Sequence, residues 1–349
     1  MLPQPQAGFR LNVLNPGGRD PEQHFHAAAE GGDQPHAPVN FHAYAACTGG
    51  SFFRETARAI ESGAPVLLLL RGDFRASQRA LSALREAGLP VAVSLKETGL
   101  HQIAAQLADP ARLRRFLGIV QAADGCIGAT PEAADIYRAV RPAGDRATFI
   151  PTPYPLHDSR WDFSRPVEER HGIFVGTREW DMPSRNHAAA LLMSRQLSDA
   201  TGAGVTVYNC DGRKGERLLA QVGFPPDRLR VLPRGRAYSE YLRVLAEHRI
   251  VLELDTSFVP GQVAGDALLC RVPCVGGSGA IDRIGHPQTC GAGRSGVELM
   301  ELAQRLLGER DFYERTVSES QHPASERLSF PVVAQQLEEF FQRAASASK

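Results

Sequence analysis

The sequence has no hydrophobic run long enough to cross a bilayer. Its longest apolar stretch, PVLLLL at 65–70, is far shorter than the roughly 20 residues that a membrane-spanning helix needs. The N-terminal segment, MLPQPQAGFR, lacks the basic, apolar and small-residue regions of a secretory signal. We therefore expect a chain that has no transmembrane segment and remains in the cytoplasm.

The sequence also lacks metal-binding patterns and an excess of charge of either sign. The 6 cysteines include no CxxC pair and no zinc-ligand spacing, which favours buried, reduced thiols. His24, His26, His36 and His42 have no neighbouring acids and form a poor ligand set, so no metal is expected. Lys plus Arg number 39, as do Asp plus Glu, so the bulk charge indicates no nucleic-acid partner.

Apolar strand-like runs alternate with helix-like segments along the whole chain, which predicts an α/β protein with parallel sheets. A length of 349 residues favours two domains. The predicted strands lie at 9–15, 39–45, 65–70, 90–95, 125–129 and 147–151, and then at 171–177, 204–209, 228–233, 250–255 and 272–277. Predicted helices begin at Asp20-Pro21 and Thr130-Pro131, and others span 52–62, 76–87, 100–122 and about 184–200.

Prolines and clustered charges in 151–172 indicate a link between two domains. We predict an N-terminal Rossmann-like domain over 1–155, a linker over 156–170 and a C-terminal Rossmann-like domain over 171–330. An amphipathic helix and a frayed tail are expected over 331–349.

The most specific pattern in the chain lies at 230–277 and continues to 284. Its run DALLCRVPCVGGSGAIDRI (266–284) has an acidic residue at the opening of a helix, then a proline-containing apolar strand that ends in glycines. This pattern resembles the donor half of GT-B glycosyltransferases, in particular the retaining type known as group 1. The resemblance covers the chain from about residue 39 onward. It implies two doubly wound Rossmann-like domains facing a cleft, with a nucleotide-sugar held mainly by the second.

By this resemblance Asp266 takes the place of a glutamate that holds the ribose hydroxyls of the nucleotide. A helix N-terminal aspartate that stabilises the dipole is the alternative. Gly261, Gln262 and Val263 would bring backbone N–H groups to the diphosphate at the N-terminus of that helix. The family's other glutamate would fall at Phe258, so the anomeric outcome stays open.

The segment HGIFVGTREWDMPSRNH (171–187) is similar to the family's first donor-domain strand and the Gly-Arg turn that follows it. Gly176 would then lie beside the diphosphate. Arg178 and Arg185 would supply the cationic contacts that a metal supplies in the other glycosyltransferase fold. The alternative is that both arginines are solvated loop charges.

The acceptor half carries weaker motifs. The TGGS run at 48–51, with Gly49 and Gly50, resembles the glycine-rich first loop of these enzymes, whose backbone can approach a phosphate or the reacting sugar. The turn NPGGRD at 15–20 competes for this role. We rank the later loop first, and a plain tight turn is the alternative for at least one of them.

Three residues after predicted strands are candidates for catalysis. The strand PVAVSLKETG (90–99) resembles a family strand that ends in a histidine-acid pair, which is Lys96-Glu97 in this chain. Glu97 or Asp73 could accept a proton from an acceptor hydroxyl, and Lys96 could neutralise a phosphate. A surface ion pair is the alternative.

The resemblance therefore implies glycosyl transfer from a nucleotide-sugar donor to an unidentified acceptor, without a metal or another cofactor. Two alternatives stay open. One is a nucleotide-sugar epimerase or hydrolase of the same fold, and the other is a non-catalytic protein that binds a sugar nucleotide. The oligomeric state is not predicted.

Overall fold

The computed structural model describes residues 8–25, 37–141, 146–176, 180, 182–233 and 236–346. The chain divides into two compact units, which we call the N-terminal unit (Met1–Pro155 with Arg327–Lys349) and the C-terminal unit (Leu156–Glu326). The segment 156–170 thus counts with the C-terminal unit, and the last helix counts with the N-terminal unit. Among the described residues no helix is both long and apolar enough to span a membrane.

The N-terminal unit is built on a seven-stranded sheet in the order β2-β3-β1-β4-β5-β6-β7. Only β2 is antiparallel to its neighbour. β3 and β4 pair with opposite edges of β1, so the strand order of this sheet reverses at β1. The strands are β1 (Asn12–Leu14), β2 (Gln23–His24), β3 (Ser51–Phe53), β4 (Val66–Leu70), β5 (Val91–Leu95), β6 (Gly125–Gly128) and β7 (Ala147–Phe149).

In the described part of this unit, seven helices cover the two faces of the sheet. Alternation along β4 explains the two layers, because Leu68 and Leu70 face one core while Leu67 and Leu69 face the other. The second core includes Leu337 of the last helix. The helices are α1 (Phe41–Cys47), α2 (Thr56–Ser62), α3 (Arg75–Glu86), α4 (Leu100–Leu107), α5 (Pro110–Ala122), α6 (Pro131–Val140) and α14 (Phe330–Ser346).

The strand predicted at 39–45 is wrong, because this segment forms helix α1. Apolar residues at alternate positions suggested a strand, but Phe41, Tyr44 and Ala45 also match helical spacing, and all three are buried in one core. The Tyr44 hydroxyl donates to the carbonyl oxygen of Ile150 at 2.8 Å. The strand of this region is β3, which occupies the start of the helix predicted at 52–62.

Two predicted helix boundaries are also wrong. Asp20-Pro21 begins no helix, since the Asp20 carboxylate accepts from the Asn15 amide at 2.8 Å and the chain continues into β2. The helix predicted over 100–122 is interrupted, because Asp109 accepts from the Arg112 N–H at 2.8 Å and caps the start of α5.

The C-terminal unit has a five-stranded, all-parallel sheet in the order β10-β9-β8-β11-β12. Its strands are β8 (Ile173–Val175), β9 (Val205–Asn209), β10 (Leu229–Pro233), β11 (Ile250–Leu252) and β12 (Cys274–Val275). Its helices are α7 (His187–Thr201), α8 (Arg213–Val222), α9 (Tyr238–Ala246), α10 (Gln262–Leu269), α11 (Ala280–Gly285), α12 (Gly296–Gly308) and α13 (Arg310–Leu328). Helices α11 to α13 are additions to the sequence prediction.

The strand order of the C-terminal unit reverses between β8 and β11. β9 follows β8 along the chain on one side of it, whereas β11 pairs with its other side. In open α/β sheets the loops after two such strands diverge and leave a crevice at their carboxyl ends, where ligands bind. The residues that follow β8 and β11 are therefore the first place to look for a site.

Candidate nucleotide-binding site

Gly176 begins the loop after β8 and brings three elements into contact. Its N–H donates to the Leu252 carbonyl oxygen at 2.9 Å. A Cβ atom at this position would lie 2.6 Å from Val263 Cγ1 and 3.1 Å from Val251 Cγ1. Only glycine allows the end of β8 to lie this close to both β11 and the start of α10.

Helix α10 begins at this same point. Gly261 is its N-cap residue and has a left-handed backbone, with φ of 91°. The first N–H groups of a helix have no acceptor within the helix, and the helix dipole favours an anion there. The structure thus brings Gly176, Gly261, Gln262 and Val263 together, as the resemblance implied, in an arrangement that suits a phosphate group.

The turn Pro183–Arg185 is bonded to the loop after β11. The N–H of Thr256 donates to the Ser184 carbonyl oxygen at 2.8 Å, and the Ser257 hydroxyl donates to the Ser184 hydroxyl at 2.9 Å. The Asn186 side chain donates to the Leu254 carbonyl oxygen at 2.9 Å. These bonds fix the turn at the carboxyl edge of the sheet.

Arg185 lies in this fixed turn and forms an ion pair with Asp255. The Asp255 carboxylate is buried and also accepts from the Ser257 N–H at 2.7 Å. The Arg185 guanidinium is therefore fixed by an ion pair at the carboxyl edge, which differs from the alternative of a solvated loop charge. Arg178, the other arginine of the prediction, lies outside the described residues.

Asp266 is placed differently from the sequence expectation. It lies in the second turn of α10, after Gln262–Gly265, so the alternative of a first-turn aspartate at the helix N-terminus is wrong. The side chain is fully buried, and the Tyr238 hydroxyl at the start of α9 donates to its carboxylate. Its role with the ribose stays a prediction, and in this structure its carboxylate has no exposed surface.

A buried carboxyl pair that the sequence analysis missed lies under the loop that leads to α10. Glu253 follows β11 directly, and Asp282 lies in α11. Burial raises the pKa of Glu253 well above its ordinary value, and the negative charges of Asp282 and Asp255 raise it further. The signal that could have revealed the pair is Glu253 itself, an acidic residue inside the apolar run IVLELD.

Cys274 completes this cluster. Its thiol donates to Glu253 Oε1 at 3.4 Å. Within the part of the chain that the structure describes, Glu253, Cys274 and Asp282 are the one group of histidine, cysteine or acidic residues whose ligand atoms lie within 4.8 Å of one another. Of the four histidines considered in the sequence, His24 contacts Ser51 and His42 contacts the Pro21 carbonyl, while His26 and His36 lie outside the described residues.

Phe258 is the residue that the sequence resemblance aligns with the family's other glutamate. Its backbone is left-handed, with φ of 52°, and its side chain is half-buried. The guanidinium carbon of Arg283 lies 5.6 Å from the centre of its ring. This position thus holds an aromatic ring beside a cation and no carboxylate, so the anomeric outcome stays open.

In the N-terminal unit the two glycine loops lie at opposite edges of the sheet. The loop with Gly49 and Gly50 precedes β3 and lies at the amino edge, where Thr48 Oγ1 accepts from the Leu11 N–H at 3.0 Å. The turn at 15–20 follows β1 and lies at the carboxyl edge. The rule for ligand sites in α/β sheets therefore favours the turn at 15–20, which the sequence ranked second.

The turn at 15–20 makes contact with Lys96. Lys96 Nζ lies 3.0 Å from the Asp20 carboxylate, which shows a partner for Lys96 that the sequence did not indicate. Burial raises the pKa of Asp20, but the hydrogen bond and charge of Lys96, with smaller contributions from His42 and Asn15, together hold this pKa below its ordinary value. Lys96 is therefore half-buried in an ion pair at the carboxyl edge.

Glu97 and Asp73 also follow strands at the carboxyl edge of the N-terminal unit. Glu97 Oε2 accepts from the Gln106 amide at 2.9 Å. Asp73 is exposed, and its carboxylate accepts from the Arg75 N–H at 3.1 Å, which is the main cause of its lowered pKa. Both acids lie at the carboxyl edge of this sheet, and their catalytic roles stay predictions.

Comparison with known proteins gives matches of structure only. No protein-family model matches the chain, and no curated protein matches it either. Anabaena HepE in complex with UDP and glucose is similar at a TM-score of 0.64 and 14% identity, over 96% of this chain and 100% of that one.

Two further solved structures are similar to the chain in fold. A UDP-forming trehalose-phosphate synthase from Burkholderia xenovorans has a TM-score of 0.60 and 10% identity, over 88% of this chain and 80% of that one. TarM of S. aureus, in complex with UDP and sugar ligands, has a TM-score of 0.58 and 10% identity, over 84% of this chain and 60% of that one. At this level of identity the similarity is one of fold, and the chain has the GT-B fold of the glycosyltransferases.

Proposed function

We propose that the chain is a glycosyltransferase that moves a sugar from a nucleoside-diphosphate sugar to an acceptor, without a metal ion. The observation that carries the proposal is the junction of Gly176 with the N-terminus of α10 at the point where the strand order of the C-terminal unit reverses. Solved structures of the same fold include complexes with UDP and with UDP-glucose. A uridine diphosphate sugar is therefore the first donor to test.

The diphosphate would be held by two kinds of group. The first turn of α10 offers backbone N–H groups and the positive end of the helix dipole. Arg185 offers a guanidinium whose position is fixed by Asp255. As the sugar leaves, negative charge develops on the diphosphate, and positioned donors and cations stabilise such charge without any further reorganisation. This supports metal-independent departure of the leaving group.

In our proposal Asp266 binds the ribose after the side chain of Tyr238 has moved away from it. Because the Asp266 carboxylate is fully buried and accepts from the Tyr238 hydroxyl, the ribose can replace that bond only if the tyrosine ring turns away. A Tyr238→Phe protein removes the competing hydroxyl and should bind UDP at least as tightly as the wild type. An Asp266→Asn protein should bind UDP more weakly, and unchanged binding would exclude the ribose role.

The experiment that tests the proposal is a thermal-shift series with UDP, ADP, GDP and their sugars, each with and without EDTA. A ligand present at 100 times its Kd stabilises the folded state by about 2.7 kcal/mol, which is readily detected. We expect a uridine nucleotide to raise Tm equally with and without EDTA. If no nucleoside diphosphate raises Tm, the proposed function is wrong, and a shift that EDTA abolishes would refute metal independence.

Arg185→Gln and Arg195→Gln form a matched pair of variants for this series. Both arginines lie in the C-terminal unit, but Arg195 pairs with Asp199 one turn along α7, away from the crevice. We expect the Arg185 variant to lose most of the nucleotide-induced shift and the Arg195 variant to keep it. Equal shifts in both variants would remove Arg185 from the site.

Turnover distinguishes the proposed function from its alternatives. UDP released from the donor only in the presence of an acceptor extract identifies a transferase. Release with donor alone identifies a hydrolase, a rearranged sugar nucleotide identifies an epimerase, and binding without any product identifies a non-catalytic protein. Variants Glu97→Gln, Asp73→Asn and Lys96→Gln then show which acceptor-side residue the reaction needs.

We also propose a cytoplasmic location. All 6 cysteines, each of which the structure describes, are free, and most of them are buried. Unpaired thiols are typical of proteins in reducing compartments. Fractionation of cells that express the tagged protein should recover it with cytoplasmic markers, and recovery with a membrane or secreted fraction would contradict this location.

A further inference from the structure

Three glycines surround the carboxylate of Asp282. A Cβ atom on Gly261 would lie 2.6 Å from Asp282 Oδ2, and a Cβ atom on Gly279 would lie at the same distance. A Cβ atom on Gly277 would collide with the other oxygen of this carboxylate and would lie 2.8 Å from Glu253 Oε1. The acid is therefore enclosed by backbone, and one of these backbone positions is the N-cap of α10.

The same backbone is joined to the loop that leads into α10. The N–H groups of Ala280 and Ile281, at the start of α11, donate to the carbonyl oxygens of Val259 and Pro260 at 3.0 and 2.8 Å. The hydroxyl of Ser278 donates to the Asp255 carbonyl oxygen at 2.8 Å. The position of the loop 255–261 thus depends on the position of α11, which contains Asp282.

The carboxyl oxygens of Glu253 and Asp282 lie within 4.8 Å of each other, and both side chains are buried. Burial penalises each charge and two carboxylates at this distance repel each other, so the pair retains one proton. The Cys274 thiol donates to Glu253 Oε1 at 3.4 Å. A hydrogen bond from the Gly279 N–H is among the causes that oppose the rise in the pKa of Asp282.

The charged surroundings of the pair oppose its full ionisation. Burial is the largest cause of the raised pKa values of both acids. The groups that face the pair from the packed elements are mostly acidic or neutral: Asp255 of the loop after β11, Asp266 of α10, the thiol of Cys274 in β12 and His286 after α11, whose pKa is lowered by burial to about 4. Two arginines lie near the pair: Arg185 is paired with Asp255, and Arg283, next to Asp282 in α11, donates to the Gly279 carbonyl oxygen at 3.3 Å.

We propose that the Glu253–Asp282 pair is a positioning group for the donor site, whose shared proton holds the loop 255–261 in place for the diphosphate. When the pH rises and the proton leaves, two buried carboxylates face each other, and their repulsion displaces α11 and the loop bonded to it. Donor affinity then falls. The part of this inference that concerns the donor rests on the proposed function, whereas the part that concerns the loop does not.

Hydrogen exchange of the nucleotide-free protein tests the loop. Exchange of the 255–261 and 276–282 peptides is measured at pH 6.5 and at pH 9 and corrected for the intrinsic effect of pH. We expect about tenfold faster corrected exchange at pH 9 in the wild type. The Glu253→Gln variant should show no such increase, because its amide donates to Asp282 at every pH. The matched control Glu298→Gln removes an exposed carboxyl of the same unit and should behave as the wild type.

Calorimetric titration with UDP over the same pH range tests the donor. One linked proton lowers affinity up to tenfold per pH unit above the transition of the pair. This fall in affinity should appear in the wild type and in Glu298→Gln but not in Glu253→Gln. Titration of UDP itself affects all three proteins equally, so it does not alter the comparison. A second variant, Asp282→Asn, keeps the shape of the site and should give the same flat profile.

The outcomes separate this inference from the proposed function. If UDP binds at no pH while loop exchange depends on pH as described, the proposed function fails and the positioning role of the pair stands. If Glu253→Gln follows the wild-type pH profile in both measurements, the inference is wrong. Loop exchange that responds to a chelator and not to pH would also overturn it, because a cation would then occupy the place of the proton.

Discussion

Glycine-to-alanine substitutions around Asp282 test whether the α10 N-terminus depends on close packing. Gly279 has φ of −62°, which any residue adopts, so alanine at this position adds only a steric conflict. Its Cβ would lie 2.6 Å from Asp282 Oδ2 and 2.8 Å from the Val259 carbonyl oxygen. Gly261 adds a positive φ of 91° to a similar conflict, whereas Gly293 has φ of 75° with open space around its Cβ position.

The three positions therefore separate two costs. A left-handed backbone costs about 1–2 kcal/mol in a residue other than glycine, and overpacking costs about 1–3 kcal/mol. The smaller entropy of the unfolded alanine chain returns about 0.4–1 kcal/mol. We expect destabilisation by about 0.5–1.5 kcal/mol for Gly293→Ala, about 0.5–2.5 kcal/mol for Gly279→Ala and about 1.5–4 kcal/mol for Gly261→Ala.

Tryptophan fluorescence measures the free energy of unfolding of the C-terminal unit, which contains all three glycines. Both tryptophans of the chain, Trp161 and Trp180, belong to the C-terminal unit, so urea unfolding followed by their emission reports that unit. UDP titration of the folded variants adds a second measurement. The substitutions at 261 and 279 should weaken UDP binding, and the one at 293 should leave it unchanged. Equal destabilisation and equal UDP affinity of the variants at 261 and 293 would refute this account of the site.

Further predictions concern ion pairs and a buried histidine. Arg185→Gln should destabilise the C-terminal unit by about 1–3 kcal/mol in urea unfolding, because it leaves the buried Asp255 carboxylate without its cation, and Asp255→Asn made in addition should recover part of that loss. Burial lowers the pKa of His248 to about 4, so the unfolded chain binds more protons between pH 6.5 and 4. The contribution of His248 to the free energy of unfolding should fall by up to about 1.4 kcal/mol per pH unit as the pH decreases through this range. The slope measured by urea unfolding should be shallower by that amount in His248→Gln, while His187 and His286, whose pKa values burial also lowers to about 4, keep their own contributions. Lys96→Gln should raise the pKa of Asp20, measured by NMR titration, because the hydrogen bond and charge that lower it are removed.

The order of strands and helices was largely predictable, because buried parallel strands have strong local signals. β4 and β5 are continuous apolar runs, as strands covered on both faces are, and the structure confirms both. The segment 39–45 failed because its apolar residues satisfy a period of 2 and also helical spacing. Burial against α14, which is distant in sequence, decides between the two, and no local pattern contains that contact.

The glycine positions of the candidate site were predictable for a similar reason. Gly176 follows the end of a strand, where valine side chains leave no room for a Cβ atom, and Gly261 begins a helix with a left-handed backbone. The partner of Arg185 was not predictable, since the Asp255 carboxylate comes from a loop 70 residues away in the chain. Sequence thus indicated which residues could contact a diphosphate but not which acids hold them in position.

The carboxyl pair shows what kind of signal would have helped. An acidic residue inside a buried strand run must be neutralised by a proton, a base or a cation, because an isolated buried carboxylate is too costly. Glu253 is such a residue, and the charged residue beside it in the run IVLELD is another acid, Asp255. A second acid in the helix after a glycine-rich turn, as Asp282 is, is then the simplest partner, because a Cβ atom on Gly277 or Gly279 would collide with its carboxylate. In this chain, a lone acid at the end of an apolar strand, with a second acid just after a glycine-rich turn, is the pattern from which the proposed shared proton could have been predicted.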